Sequence, residues 1–409
     1  MKAREALLLF IVPLGAYTLL SGYGIDRGYP TALYGLTRAI VEDHSLSLDR
    51  QKELLGYDKA IYKGRLFSDK APGPALVMIP AYLAARAITP DADLCFTITL
   101  LFGMMLPSAT APLAVRLLVA RTGSPHGAIG GWCFAFATLF FPYATVGISD
   151  PLAATAIAWA WALGIGTGDL ALYASGACAG LAILTRYQAA LVIAPLAVYV
   201  LATRRLASVR FFVPLALAAI AVLGYNFAAF DHPLTFPTFH WQGKPGAAPT
   251  LQMGRPTISR AYEMSFGLRR GLFVYTPLLL LVPVGAIELS RRSPLLAASA
   301  IAGLALYFGY LLCNAGFWGG ADFGLRFSIP ALPLCFLLLL AGKSPLSGRA
   351  ALVFAIPSAC VALLGALSGP YVPFRERNPL RYELDALLEH GPRTILSGVP
   401  RSPQPAPRP

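Results

Sequence analysis

The chain has 409 residues, 56% of them hydrophobic and only 13% charged, with a formal net charge of +13. So low a charge content, spread over repeated apolar runs of membrane-spanning length, excludes an ordinary soluble domain and indicates a polytopic membrane protein. The basic residues fall in short loops between those runs rather than on one solvated face, which argues against nucleic acid as a partner.

Lys2 and Arg4 precede the apolar run 6–22. No small-x-small cleavage site closes this run convincingly, so it reads as the first span rather than a secretory signal. A polar stretch, 23–71, follows. The small-residue run Ser21-Gly22-Tyr23-Gly24 leads into it, and Asp26 and Arg27 follow that run. Pro30 opens a helix with Leu33, Leu36 and Ile40 on one face and Arg38, Glu42 and Asp43 on the other, the pattern of an amphipathic helix lying on a membrane surface. The stretch closes at Ser68-Asp69-Lys70-Ala71-Pro72-Gly73, a charged pair set against a proline turn.

Segment 72–87 is apolar, but at about 1.5 Å per residue it falls short of a hydrocarbon core of about 30 Å. Pro74 and Pro80 also interrupt it, so it is expected to be an interfacial helix. Spans are then expected at 94–118, 128–147, 151–168, 170–185, 187–202, 211–230, 271–287, 294–313, 327–341 and 350–367. With 72–87 left out of the count, Lys2, Arg4, the 116–121 turn, Arg204, Arg205, Arg210, Arg291, Arg292, Lys343 and Arg349 all fall on one side. That is the positive-inside pattern. The expected fold is an all-α transmembrane bundle of about eleven spans, forming a single unit over 1–369 with juxtamembrane helices on its outer face. The remainder, 370–409, is an outer-face tail with a short helix at 381–388 and a disordered, proline-rich end from 400. Cys95, Cys133, Cys178, Cys313, Cys335 and Cys360 lie in or beside apolar runs without metal or redox spacing and read as small core residues.

Four outer segments then face one another: 23–71, the Ser149-Asp150 turn, the loop 231–270 and the turn 314–326. An interfacial carboxylate such as Asp26 can serve as general base on an incoming hydroxyl, or it can simply cap a turn. Lys70, beside Asp69 at a helix start, suits an anion, although an ion pair anchoring the helix would look the same. Asp150 precedes Pro151 and can cap the next helix. In Gly316-Phe317-Trp318-Gly319-Gly320-Ala321-Asp322-Phe323-Gly324-Leu325-Arg326, Trp318 can stack on a sugar and Arg326 can grip phosphate, or both can belong to an interfacial belt. The 231–270 loop is basic, and Arg269-Arg270 directly before a span is its best-placed pair for a lipid phosphate. Asp91-Ala92-Asp93 reads as a helix start rather than a metal pair, and His232 and His240 lack ligand spacing. No metal or other cofactor is assigned, although a divalent cation would be compatible.

An acidic residue soon after the first span, an acidic-Lys-Pro type turn opening a juxtamembrane helix and an Asp-Pro-Leu turn after the third span resemble the GT-C superfamily of integral-membrane glycosyltransferases. The nearest likeness is to the protein mannosyltransferase and lipid A aminoarabinose transferase branch, and it covers roughly residues 26–186. This chain has Ala71 where that pattern has a proline, and Arg27 directly beside the acid. The resemblance implies a polyprenyl-phosphate sugar donor, a glycan, lipid or protein acceptor, and an active site on the extracytoplasmic side of the inner membrane. It also implies Asp26 as the base, Lys70 at the donor phosphate, and Asp69 and Asp150 shaping the pocket; Arg27, Trp318 and Asp322 are expected to shape the same pocket. Two other classes remain open. One is a lipid or solute transporter, which should show inverted repeats that are not visible here; the other is a non-catalytic component of an envelope polysaccharide assembly system.

Overall fold

The structure, a computed structural model, describes residues 3–25, 29–56, 58–241, 253–314, 316, 320–343, 345–373 and 376–396. Asp26, Arg27, Trp318 and the proline-rich end from 400 lie outside the described residues. Among the described residues the regular structure is helical apart from one hairpin.

Each apolar run expected to span has a helical counterpart, though several are broken. Among the described residues, four helical runs are long and apolar enough to cross a membrane: Ala92–Arg121, Tyr187–Phe230, Pro294–Cys313 and Gly348–Ser368. Prolines explain much of the interruption. The run expected at 271–287 breaks into Leu272–Tyr275, a 3-10 turn Pro277–Leu281 and Val282–Arg292, with Pro277 and Pro283 at the starts of the latter two. The long run from Ala92 carries a π-turn at Leu101–Met105, where Gly103 lets the backbone close on Met78.

Helix Ser149–Gly164 forms the centre of the bundle, with all but two of its residues buried. Its alanine-rich sequence allows neighbours to approach from every side. Helix Asp169–Thr185 packs against it and presents Gly176 and Gly180 to helix Val209–Phe230. A Cβ at Gly176 would lie 2.0 Å from the Phe211 carbonyl oxygen, so the two backbones are nearly in contact.

Helix Tyr29–Glu42 departs from its expected role. It does not rest on a membrane by one face: Pro30 to Thr37 and Ala39 are all buried. Ala32, Gly35 and Ala39 are small enough to admit neighbours on faces that the amphipathic pattern leaves open, and Thr37 satisfies its hydroxyl on the Leu33 and Ala75 carbonyls. After it, strands Ala60–Tyr62 and Arg65–Phe67 form a hairpin whose Lys63-Gly64 turn has positive φ at both residues, the geometry of a tight two-residue hairpin turn. The hairpin docks on the end of helix Val209–Phe230 through Phe67 and Tyr62 on Phe230 and through Lys63 on Asp231.

Helix Gly73–Ile88 then begins against the end of Asp169–Thr185, and a Cβ on Gly73 would meet the Leu184 carbonyl carbon at 2.6 Å. Near the other end of the chain, helix Pro379–His390 packs on Pro345–Ser368. Pro370 and Val372 pair with the backbone of Phe323 and Ala321.

Candidate active site

Asp150, Arg186 and Arg326 sit at helix or 3-10 termini, and Lys70, Arg270 and Asp322 lie in the connections that lead into such termini, which gathers all six at one end of the bundle. Helix ends are where backbone groups lack intrahelical partners, so polar side chains collect there without disrupting the apolar interior.

Tyr29, the first residue of its helix, is the hub. Its ring centroid lies 4.5 Å from Lys70 Nζ and 5.4 Å from the Arg326 guanidinium carbon, and its hydroxyl hydrogen-bonds with Ser149. Lys70 donates to Asp69 at 2.5 Å and to Asp58 at 2.9 Å. It is therefore neither a surface ion pair nor an open cation, because Asp69 is buried and Lys70 nearly so. Asp150 does not cap its helix; its side chain instead accepts from Arg186 and faces Arg326 Nε at 3.7 Å. Arg326 donates to Asp322 at 2.8 Å. Arg270, buried, donates to the Gly320 carbonyl at 2.7 Å and so fastens the loop that carries Asp322. Tyr143 holds the same loop by donating to the Phe323 carbonyl at 2.9 Å.

Four cations (Lys70, Arg186, Arg270, Arg326) thus face four carboxylates (Asp58, Asp69, Asp150, Asp322) in one network. Burial pushes the Asp69 carboxyl up to about 6 despite the opposing pull of Lys70. Asp322 is pushed up to about 6 in the same way, with Arg326 and Arg270 pulling against it. One oxygen of each of these two acids is buried without a hydrogen bond. Such a network, held in low dielectric and incompletely satisfied, can exchange one anion for another and can stabilise charge that develops nearby.

The structure therefore brings together Lys70, Asp69, Asp150, Arg270, Asp322 and Arg326 from the expected set. Arg269 lies beside this group, half-buried. Asp91 caps its helix on the Leu94 amide, and Asp93 accepts from the Ile25 amide at 2.7 Å, so both have structural work. Among the described residues no group of His, Cys, Asp and Glu is arranged to hold a metal. Sequence reasoning missed Tyr29, Asp58, Tyr143 and Arg186. Arg186 carried a usable signal, as a lone arginine between two closely spaced apolar runs.

No family model and no curated sequence matches the chain. Solved structures do match it in fold. ArnT from Cupriavidus metallidurans, bound to undecaprenyl phosphate, superposes with a TM-score of 0.51 at 17% identity, covering 95% of this chain and 70% of that one. The Archaeoglobus fulgidus oligosaccharyltransferase tethered with an acceptor peptide gives 0.56 at 11% identity, over 92% and 56%. The oligosaccharyltransferase AglB from the same organism, in complex with an inhibitory peptide and a dolichol-phosphate, gives 0.52 at 13% identity, over 99% and 61%. The chain spans less than two thirds of the oligosaccharyltransferase. Both neighbours are GT-C glycosyltransferases, and this chain shares their fold.

Proposed function

We propose that this chain is a membrane glycosyltransferase that moves a sugar from a polyprenyl-phosphate-linked donor to an envelope glycan, lipid or protein acceptor. The observation that carries this reading is the pairing of Lys70 and Arg326 around the Tyr29 ring, in a buried cluster at one end of a GT-C fold. Two cations gathered on one aromatic ring, 4.5 and 5.4 Å from its centroid, suit the phosphate of a lipid-linked donor. The basic turns gather at the opposite end of the bundle, which supports an extracytoplasmic site in the inner membrane under the positive-inside rule.

The reaction is a single inverting displacement. The acceptor oxygen or nitrogen attacks the anomeric carbon while Asp26 takes its proton. The bond from that carbon to the phosphate oxygen breaks, and the electron pair leaves on the lipid phosphate. Lys70 and Arg326 neutralise that charge as it develops. Asp26 is assigned as the base from its place in the sequence, a few residues before Tyr29, whose ring lies against Lys70 and Arg326. Arg270 fastens the late loop through the Gly320 carbonyl, and Arg269 and Trp318 are assigned to the donor side by their places in the sequence alone.

The test is radiolabelled sugar transfer from a panel of polyprenyl-phosphate sugars by the purified protein in lipid. Wild type should transfer from at least one donor, and Asp26→Asn should lose transfer while remaining folded and binding donor. Near-wild-type activity in that variant would remove Asp26 from its role.

A further inference from the structure

Lys70 has three protons, and all three are accounted for: one on Asp69, one on Asp58 and the face of the Tyr29 ring beyond. A phosphate oxygen reaches this ammonium only by replacing one of those partners. The partners are not equally replaceable. Asp69 is adjacent in sequence, its side chain is 4% exposed, and its turn is braced by the Lys70 amide on the Ser68 hydroxyl. Tyr29 is fixed by Ser149 and by its helix. Asp58 is 29% exposed and lies in the connection between the 3-10 turn Asp49–Leu54 and the hairpin. Among the described residues, Lys70 is its one hydrogen-bond or ion-pair partner. The hairpin turn at Lys63-Gly64 folds the chain back so that Asp58 stands opposite Lys70 at the mouth of the cluster.

We propose that Asp58 is an internal counter-anion occupying the phosphate position on Lys70, and that a phosphate group enters by displacing it. This rests on the reading of Lys70 as a phosphate-binding residue. The charge count favours such an exchange. With Asp58 in place, four cations oppose four carboxylates. A phosphodiester with one negative charge restores the same balance after Asp58 swings out, so no buried cation is left uncompensated at either stage. Asp58 thereby keeps the site neutral between turnovers and sets a threshold that weaker anions fail to cross. It is a selectivity residue, and its removal strengthens binding where removal of Lys70 abolishes it.

Binding of undecaprenyl phosphate in nanodiscs is compared for wild type, Asp58→Ala, Asp58→Asn and Asp231→Ala, with inorganic phosphate titrated in a parallel arm. Asp231 pairs with Lys63 on the same hairpin and controls for a general loss of negative charge. Asp58→Ala should bind about tenfold tighter, Asp58→Asn should lie between it and wild type, and Asp231→Ala should match wild type. Asn keeps the shape, so it serves if the alanine variant does not fold. Tightening for inorganic phosphate as well assigns recognition to the anion alone, whereas tightening confined to the lipid-linked form assigns it to the headgroup presented at the membrane. Unchanged or weaker binding in folded Asp58 variants, with wild type binding normally, overturns the exchange. Absence of binding in every protein overturns the phosphate reading of Lys70 itself.

Discussion

The two ends of the bundle treat charge in opposite ways. At the basic end, Glu5 takes a bidentate pair from Arg116, Arg292 reaches Glu288 and the Ala341 carbonyl, and Lys343 extends to solvent beside Gly123. These groups are partly or fully wet and pair locally. At the other end, Lys70, Asp69, Asp150, Arg186, Asp322 and Arg326 are withdrawn from solvent and share partners. Charge that only sets orientation needs no desolvation. Charge that acts on a substrate gains its strength from it, at the cost of requiring every member to be balanced.

Breaking that balance should have the largest effect. Arg326→Met would take from Asp322 its hydrogen-bonded cation, leaving only Arg270 nearby, and would strip one face of Asp150; a loss of about 3–5 kcal/mol is expected. A thermal melt in detergent reads this, and donor binding should vanish at temperatures where the variant is still folded. Arg326→Lys keeps the charge but cannot reach both acids with a planar fork, so it should recover stability more than binding.

A smaller effect separates a buried charge that is paired from one that is poorly paired. Glu383, on helix Pro379–His390, is pushed up to about 8 by burial, against the pull of Ser368 and Arg393. Its folded value lies above its ordinary one, so its contribution to stability is complete below about 4.5 and is lost as the pH rises through about 8. Protection factors over residues 379–390, taken relative to the free-peptide exchange rate at each pH, should fall between pH 5 and pH 8, and Glu383→Gln should flatten that dependence. At the basic end, Lys343→Met should shift stability by no more than about 0.5 kcal/mol. A larger shift in the same melting experiment would show that this end is not the loosely coupled region described above.

Much of this division was legible in the sequence. Apolar runs located the helices, basic turns marked one end, and Lys70, Asp150 and Arg326 stood out as charges at the edges of apolar segments. The remainder was not legible, for physical reasons. Tyr29 is an ordinary aromatic until two cations are placed around its ring. Asp58 acquires meaning only when the hairpin returns the chain to Lys70. The helix from Tyr29 carries an amphipathic pattern, yet its small residues allow the protein to enclose it, and periodicity cannot distinguish a lipid surface from a protein one. Prolines were visible, but whether each would break a run, as at 277 and 283, or be absorbed, as Pro214 is within Val209–Phe230, depends on the neighbouring helices.

The pairing of residues 370–372 with 321–323, and of the Ile395 amide with the Leu19 carbonyl, bears on biosynthesis. The loop that carries Asp322 reaches its final register only after a segment made much later has emerged to clasp it. During translation the earlier helices can enter the bilayer and pack, while the cluster at their tips still lacks its fastening. A chain interrupted before residue 370 would therefore be an inserted bundle whose site has never closed.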